Sequence, residues 1–215
     1  MRIISFVTQK GGSGKSTLAS SLAVAALEAG ERVFVIDLDP QNSLVSWAKT
    51  RGSDDVPVNA VTAGRLPATL AALEKNGFTL AIIDTAGAES QAALAAMKAA
   101  DLNIIPSRPN IFDLWASELT RATLKQMRSE YVFVLNQCPP AQQTARIEEG
   151  AAALEAMGGL ITPLIQSRVD YQEAARQGRG VTEVHPSGPA AAEIKAMWSS
   201  IKRRMAKSKP ARKAA

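Results

Sequence analysis

Apolar and polar positions along the chain switch repeatedly between short buried-strand runs and longer helical stretches. Residues 2–8 (RIISFVT) form an apolar run that ends at a glycine-rich loop. Helical periodicity follows from Lys15 to Ala29, with Gly30 placed to stop it. Val33–Leu38 reads as a buried strand, and Val56–Val61 as a short edge strand because Pro57 cannot donate to a ladder. The pattern then predicts a helix over 66–75, a strand at Leu80–Asp84, an alanine-rich helix over 89–99 and a strand at Leu102–Pro106. A helix near 112–128, a strand at 131–136 and a helix near 142–157 continue the alternation. Leu160–Ile165 is expected to be the last strand, followed by helices near 170–177 and 189–207.

Strands and helices alternating at this spacing call for an α/β fold, a mostly parallel twisted sheet with helices on both faces. No strong linker or repeat divides the chain, so one domain is expected over 1–205, with a basic flexible tail over 206–215. The 46% apolar content suffices for a core, but aromatics make up only 5%, leaving alanine, leucine and isoleucine to supply most of the packing. The single cysteine, Cys138, and single histidine, His185, exclude an internal disulfide and any zinc site built from several thiols or imidazoles. No apolar run approaches the ~18 residues of a membrane span. No secretory pattern opens the chain either, so a soluble cytoplasmic protein is expected.

The charge is unevenly placed. Of 25 basic residues, seven lie within 202–213 and no acid accompanies them, leaving 18 basic against 20 acidic residues elsewhere. The net charge of +5 is therefore a property of the C-terminal end, a composition that attracts nucleic acid or an anionic membrane.

The loop after the first strand reads Gln9-Lys10-Gly11-Gly12-Ser13-Gly14-Lys15-Ser16-Thr17. Glycines let successive backbone N–H groups turn inward, and the following helix adds its positive N-terminal end, so the segment is built to cradle phosphate. Lys15 can reach the outer phosphates and the Ser16 hydroxyl can join a Mg²⁺ shell. Gln9 stands where the ordinary phosphate loop has glycine, and Lys10 adds a second lysine at the loop's opening. Asp37 and Asp39 close the second strand and Asp84 closes another, all at the sheet edge where such folds bind ligands. Either Asp37 or Asp39 could orient a water against a terminal phosphate, and Asp84 suits a water-mediated Mg²⁺ contact.

With KGGSGKST, DLDPQ and IIDTAG in this order, the chain resembles the ParA/MinD group of deviant Walker ATPases. The resemblance extends through PSRPNIFDLWAS, the FVLNQ strand and VHPSGPAAAEI, nearly the whole domain. It implies ATP and Mg²⁺ as ligands, with Lys10, Gly11, Gly12, Ser13, Gly14, Lys15, Ser16 and Thr17 around the phosphates. Lys10 corresponds to the signature lysine that crosses a dimer interface, Asp39 to the hydrolysis aspartate, Asp84 to the Walker B acid and Asn136 to an adenine contact. Ser13 replaces the usual valine, Ser16 the more frequent threonine, and Ala86-Gly87 stands where many relatives have two prolines. None of these removes a required donor or carboxylate.

The resemblance implies a slow, partner-stimulated ATPase that dimerises around ATP, binds DNA non-specifically and positions plasmid, chromosomal or protein cargo. A ParB-like or cargo adaptor would stimulate it, and the ATP state would associate with the nucleoid. Arg168, Lys195, Lys202, Arg203 and Arg204 are the candidate DNA contacts. With the first strand beginning at Arg2, a short-form member without operator-specific binding is expected. A second reading is a MinD-like membrane-surface ATPase, since Ile194, Trp198, Ile201 and Met205 share one helical face flanked by Lys195, Lys202, Arg203 and Arg204. A third is a metabolic enzyme on the same fold. One cysteine cannot supply a nitrogenase-like cluster and one phosphate loop cannot serve a fused arsenical-pump ATPase, whereas a dethiobiotin-synthetase-like ligase stays formally open.

Overall fold

The computed structural model describes residues 1–139 and 145–207. Six parallel strands form one sheet: β1 (Arg2–Phe6), β2 (Val33–Asp37), β3 (Val58–Ala60), β4 (Leu80–Asp84), β5 (Leu102–Ser107) and β6 (Tyr131–Leu135), in spatial order β3-β2-β4-β1-β5-β6. Helices α1 (Lys15–Glu28), α2 (Ser43–Arg51), α3 (Leu66–Lys75), α4 (Gln91–Ala99), α5 (Ile111–Gln126), α6 (Ala145–Gly158), α7 (Val169–Arg176), α8 (Val181–Val184) and α9 (Pro189–Lys207) cover it. Strands β2, β4 and β5 are buried at every position, which explains why they read as continuous apolar runs rather than as alternating ones.

The two faces carry separate apolar layers. Alternate residues of β1, β2 and β4, among them Ile4, Val35 and Ile82, pack with α1 and α9 on one side. Ile3, Ile36 and Ile83 pack with α3, α4 and α6 on the other. The parallel register sets Phe6 beside Asp84 and Asp84 beside Asp37, so the loop after β1 and two carboxylates emerge together at one sheet edge.

Several expectations are corrected. Leu160–Ile165 is not a seventh strand. It runs beside β6 through isolated bridges at Phe133–Leu160 and Cys138–Gln166, because Pro163 has no N–H to give to a ladder. Helix α2 falls in a stretch for which no element was expected. It buries only Leu44 and Trp47, too few apolar positions to reveal a period. It is held instead by distant polar contacts, as Trp47 Nε1 donates to Arg179 O (3.3 Å) and Arg51 makes a two-pronged pair with Glu183 (2.8 Å each). The four residues of α8 are too short for any pattern to reveal. The first residues of the helix expected near 142 lie outside the described residues, as do 208–215 of the expected tail. Helix α9, in contrast, spans Pro189–Lys207 as expected.

The face that suggested membrane contact is used for packing. Ile194 and Ile201 are fully buried and Trp198 and Met205 nearly so, all within the layer that includes α1. Among the described residues, no helix is long and apolar enough to cross a membrane. Because Ile201 is enclosed, Ile201→Ala is expected to lower the unfolding free energy by about 2–5 kcal/mol, measured by urea denaturation. A change below about 0.5 kcal/mol would mean that this face is not part of the core.

Candidate functional site

The loop between β1 and α1 lies on the most central strand, whose neighbours β4 and β5 extend the sheet in opposite directions. Gly14, the residue before α1, has φ +92°, and a Cβ there would stand 2.3 Å from Asn136 Nδ2. A side chain would thus be both strained and blocked. The segment after β4 closes in from the other side. A Cβ on Gly87 would lie 2.7 Å from Gly11 N and 2.9 Å from the Lys10 carbonyl carbon, so backbone meets backbone there. Glycine at this position is therefore what the contact requires.

Lys15 is buried, and its Nζ donates to Lys10 O at 3.3 Å. Burial lowers its pKa, while the charges of Asp84 and Asp39 act in the opposite direction. Ser16 Oγ donates to Asp84 Oδ2 at 2.6 Å, and Asp84 Oδ1 has no partner among the described residues. Enclosure is the main cause that pushes the Asp84 carboxyl up to about 7. The Ser16 bond and Lys15 oppose that shift, and Asp37 and Asp39 add to it. The buried Asp84 oxygen lacking a partner, beside the Ser16 hydroxyl, supplies oxygen donors that fit Mg²⁺. Among the described residues no group of three or more His, Cys, Asp or Glu side chains is arranged to hold a metal ion, so remaining ligands must come from phosphate or water.

Asp37 and Asp39, left open as alternatives by the sequence, are separated by their surroundings. Both Asp37 oxygens accept backbone N–H groups, from Asp39 (3.0 Å), Leu44 (2.9 Å) and Val45 (3.3 Å), so Asp37 holds the turn into α2. Asp39 is half-buried, and its Oδ1 accepts from Gln41 N (2.9 Å). Asn136 donates through Nδ2 to Ser13 O (2.8 Å), and Gln137 Nε2 to Gly12 O (3.0 Å), so two amides brace the loop from the end of β6. A cavity of about 180 Å³ opens beside them, lined by Gly14, Thr17, Asn136, Gln137, Arg168 and Tyr171 among others. The sequence did not point to Gln137 or Tyr171, which become neighbours of the loop only through chain crossings.

The expected DNA contacts are scattered and unequal. Arg168 is not a free cation, since its guanidinium is held by Glu193 at 2.8 and 3.0 Å and it lines the cavity beside α1. Arg204 donates to the carbonyls of Tyr131 (3.0 Å) and Gly158 (3.3 Å). Lys202 lies over the Trp198 ring at 5.5 Å, whereas Lys195 and Arg203 are exposed. Cys138 is buried, and its thiol is pushed up to about 11 by burial and by Glu193, which suits packing rather than nucleophilic chemistry. His185 is exposed, with Asp170 at 3.9 Å.

Helix α5 has inverted polarity: Asp113, Ser117 and Thr120 face inward, and Ile111, Phe112, Trp115 and Leu119 are 51–64% exposed. Phe112 and Trp115 meet edge to face at 5.6 Å. The inner face meets the loop directly, as Thr120 Oγ1 accepts from Gln9 N at 3.2 Å. The signal was present in IFDLWASELT as an apolar stripe out of phase with the buried one.

Comparison with known proteins agrees with this architecture. The AAA domain family matches residues 1–163. The chain is 34% identical over 194 residues to the maintenance of carboxysome distribution protein A of Gloeobacter kilaueensis, covering 85% of this chain and 84% of that one. Among solved structures, apo McdA from Cyanothece superposes with a TM-score of 0.78 at 17% identity, over 94% of this chain and 98% of the other. The cell division ATPase MinD of Pyrococcus furiosus superposes with a TM-score of 0.75 at 21% identity, over 94% and 99%.

Asp84 generates a pH dependence in the metal-free, nucleotide-free protein. An ordinary aspartate ionises near 3.8, so between that value and about 7 the unfolded chain loses this proton before the folded one does. The contribution to stability is full below 3.8 and is lost as pH rises toward 7, with a limiting slope of about 1.4 kcal/mol per pH unit. Asp84→Asn is expected to remove that slope in denaturation curves recorded with chelator between pH 4 and 7.5. Parallel wild-type and variant profiles would show that Asp84 is ionised throughout.

Proposed function

The chain belongs to the ParA/MinD family of P-loop ATPases, and from that premise we propose that it is an ATP-gated dimer that binds DNA without sequence preference and positions a large cargo. The observation that carries this reading is the inverted polarity of α5 beside the phosphate loop. An apolar stripe left in water on the helix whose inner face bonds the loop marks a surface for a partner, and a second copy can cover it while facing the same loop. Four half-exposed side chains supply roughly half of the ~800 Å² per partner typical of a specific interface. The nucleotide has to complete the rest, which makes the dimer conditional on ATP.

In this reading the loop amides and Lys15 hold the phosphates, Lys15 exchanging its bond to Lys10 O for phosphate oxygens. Ser16 and Asp84 would hold Mg²⁺, which when bound neutralises phosphate charge. Asp39, with its carboxylate half-exposed at the sheet edge, orients the attacking water, while Asp37 keeps the turn that carries it. Lys10 places its charge on the nucleotide of the other subunit, so hydrolysis weakens the interface that ATP completed. The base occupies the cavity beside Asn136, whose amide also braces Ser13 O.

DNA binding falls to the exposed cations of α9, Lys195, Arg203 and Lys207, with Lys202 beside them, rather than to Arg168, whose charge is paired within the fold. Pairing two copies doubles the phosphate contacts and lets ATP gate DNA binding without reshaping either subunit. The Gloeobacter relative is named for carboxysome distribution, which supports a protein assembly as one class of cargo. A cognate adaptor of ParB-like or cargo-bound type accelerates a slow basal hydrolysis and releases the dimer from the nucleoid. The membrane-surface reading loses its support because its apolar face is spent in the core.

The test is binding to random-sequence duplex DNA with Mg-ATP or Mg-ADP across a salt series. Tight binding with ATP alone, falling steeply with salt, is expected. Asp39→Ala should retain that binding and extend its lifetime while losing nearly all turnover. Salt-insensitive or nucleotide-independent binding would overturn the reading. The stripe has its own test: Trp115→Ser should weaken the ATP-dependent dimer at least about tenfold in analytical ultracentrifugation. An unchanged dimer constant would assign the stripe to another partner.

A further inference from the structure

We propose that Arg108 contacts the terminal phosphate held by the loop it faces and so makes this chain prefer ATP over ADP. The inference rests on the reading of that loop as the nucleotide site. Arg108 lies between the end of β5 and the start of α5, and the approach is direct: a Cβ on Gly12 would lie 3.9 Å from Arg108 Nη1. Gly12 itself has φ +73° and no side chain, so nothing on that residue separates the guanidinium from the loop backbone.

The guanidinium is held in place rather than left to wander. Asp113, only 2% exposed and in the first turn of α5, accepts from Nε at 2.9 Å and from Nη2 at 3.2 Å. Asn110 caps the same turn by accepting from Asp113 N at 3.0 Å. Pro109 follows immediately and restricts the Arg108 backbone. A guanidinium carries five N–H donors, and the bidentate pair uses one on Nε and one on Nη2. The Nη1 edge is therefore presented to the loop as donors already oriented. Lysine at this position would keep a charge but lose the fork that Asp113 grips.

Where on the nucleotide this edge falls follows from the loop. Lys15 lies deep, buried against the Lys10 carbonyl and Asp84, on the inner side. Arg108 follows β5 and approaches the loop at Gly12, whereas Lys15 lies toward Asp84 at the end of β4, so the two cations flank the loop from opposite sides of β1. A charge-assisted bond to the phosphate that ADP lacks is felt by one nucleotide and not by the other.

The experiment is isothermal titration of Mg-ATP and Mg-ADP, separately, into the wild-type chain, Arg108→Ala, Arg108→Lys and Asp113→Asn. Arg108→Ala is expected to weaken ATP roughly tenfold or more while ADP changes less than about twofold. Arg108→Lys should recover part of the ATP preference, and Asp113→Asn should lose part of it by freeing the fork. ATP and ADP weakened in parallel would make Arg108 a support of loop shape only and overturn the proposal, as would no change in either. Failure of the wild-type chain to bind any nucleotide would instead overturn the underlying reading, and the two failures are told apart by that first titration.

Discussion

Everything at the functional edge depends on one crowded electrostatic arrangement, a lysine and a carboxylate buried within reach of each other at the end of the central strands. Lys15 and Asp84 are both removed from water, yet no direct bond joins them among the described residues. Lys15 leans on a backbone carbonyl, and Asp84 has a serine hydroxyl on one oxygen and nothing on the other. Burial works against both charges, lowering the lysine's pKa and raising the aspartate's. A site left in this condition is stabilised by a ligand that carries anionic oxygens for the one and a cation for the other.

The parallel sheet is what makes the arrangement possible. Register puts Asp37 and Asp84 side by side and brings the end of β1 between β4 and β5. Three acids converging on one edge would repel, and the fold disposes of them differently. Asp37 is held by three backbone N–H groups, which favour its charged form, and becomes part of the turn into α2. Asp39 stays half in solvent. Asp84 is enclosed and keeps its proton to near neutral pH. Identical side chains thus acquire distinct chemistry from hydrogen-bond supply and water access alone.

The same logic governs the surface. Helix α9 looks amphipathic and basic, but its apolar side is consumed by α1 and the sheet, so its outward side presents Lys195, Arg203 and Lys207 among small and polar residues. Helix α5 is the reverse, with polar groups turned inward to meet the phosphate loop and aromatic groups turned out. Part of that inner face meets the loop at Gln9, and Leu124 of the same helix joins the core.

What the chain determined by itself was local: most of the strands and the longer helices, though not α2 or α8. Continuous apolar runs specified buried parallel strands, and glycines before Lys15-Ser16 specified a phosphate cradle opening a helix. The acids Asp37, Asp39 and Asp84 were visible at strand ends because strand and turn signals abut there. The tertiary structure alone decided which of these groups is enclosed, which is paired and which is left open. Arg168 and Arg203 are both arginines of the C-terminal third, yet Glu193 reaches only the first. Gln137 and Arg108 meet the loop across large gaps in sequence, and Pro163 breaks a strand that its apolar neighbours promised. Periodicity reports which side of an element avoids water, a property of nearest neighbours along the chain. Pairing and enclosure depend on which distant elements pack together, and that is written only in the folded arrangement.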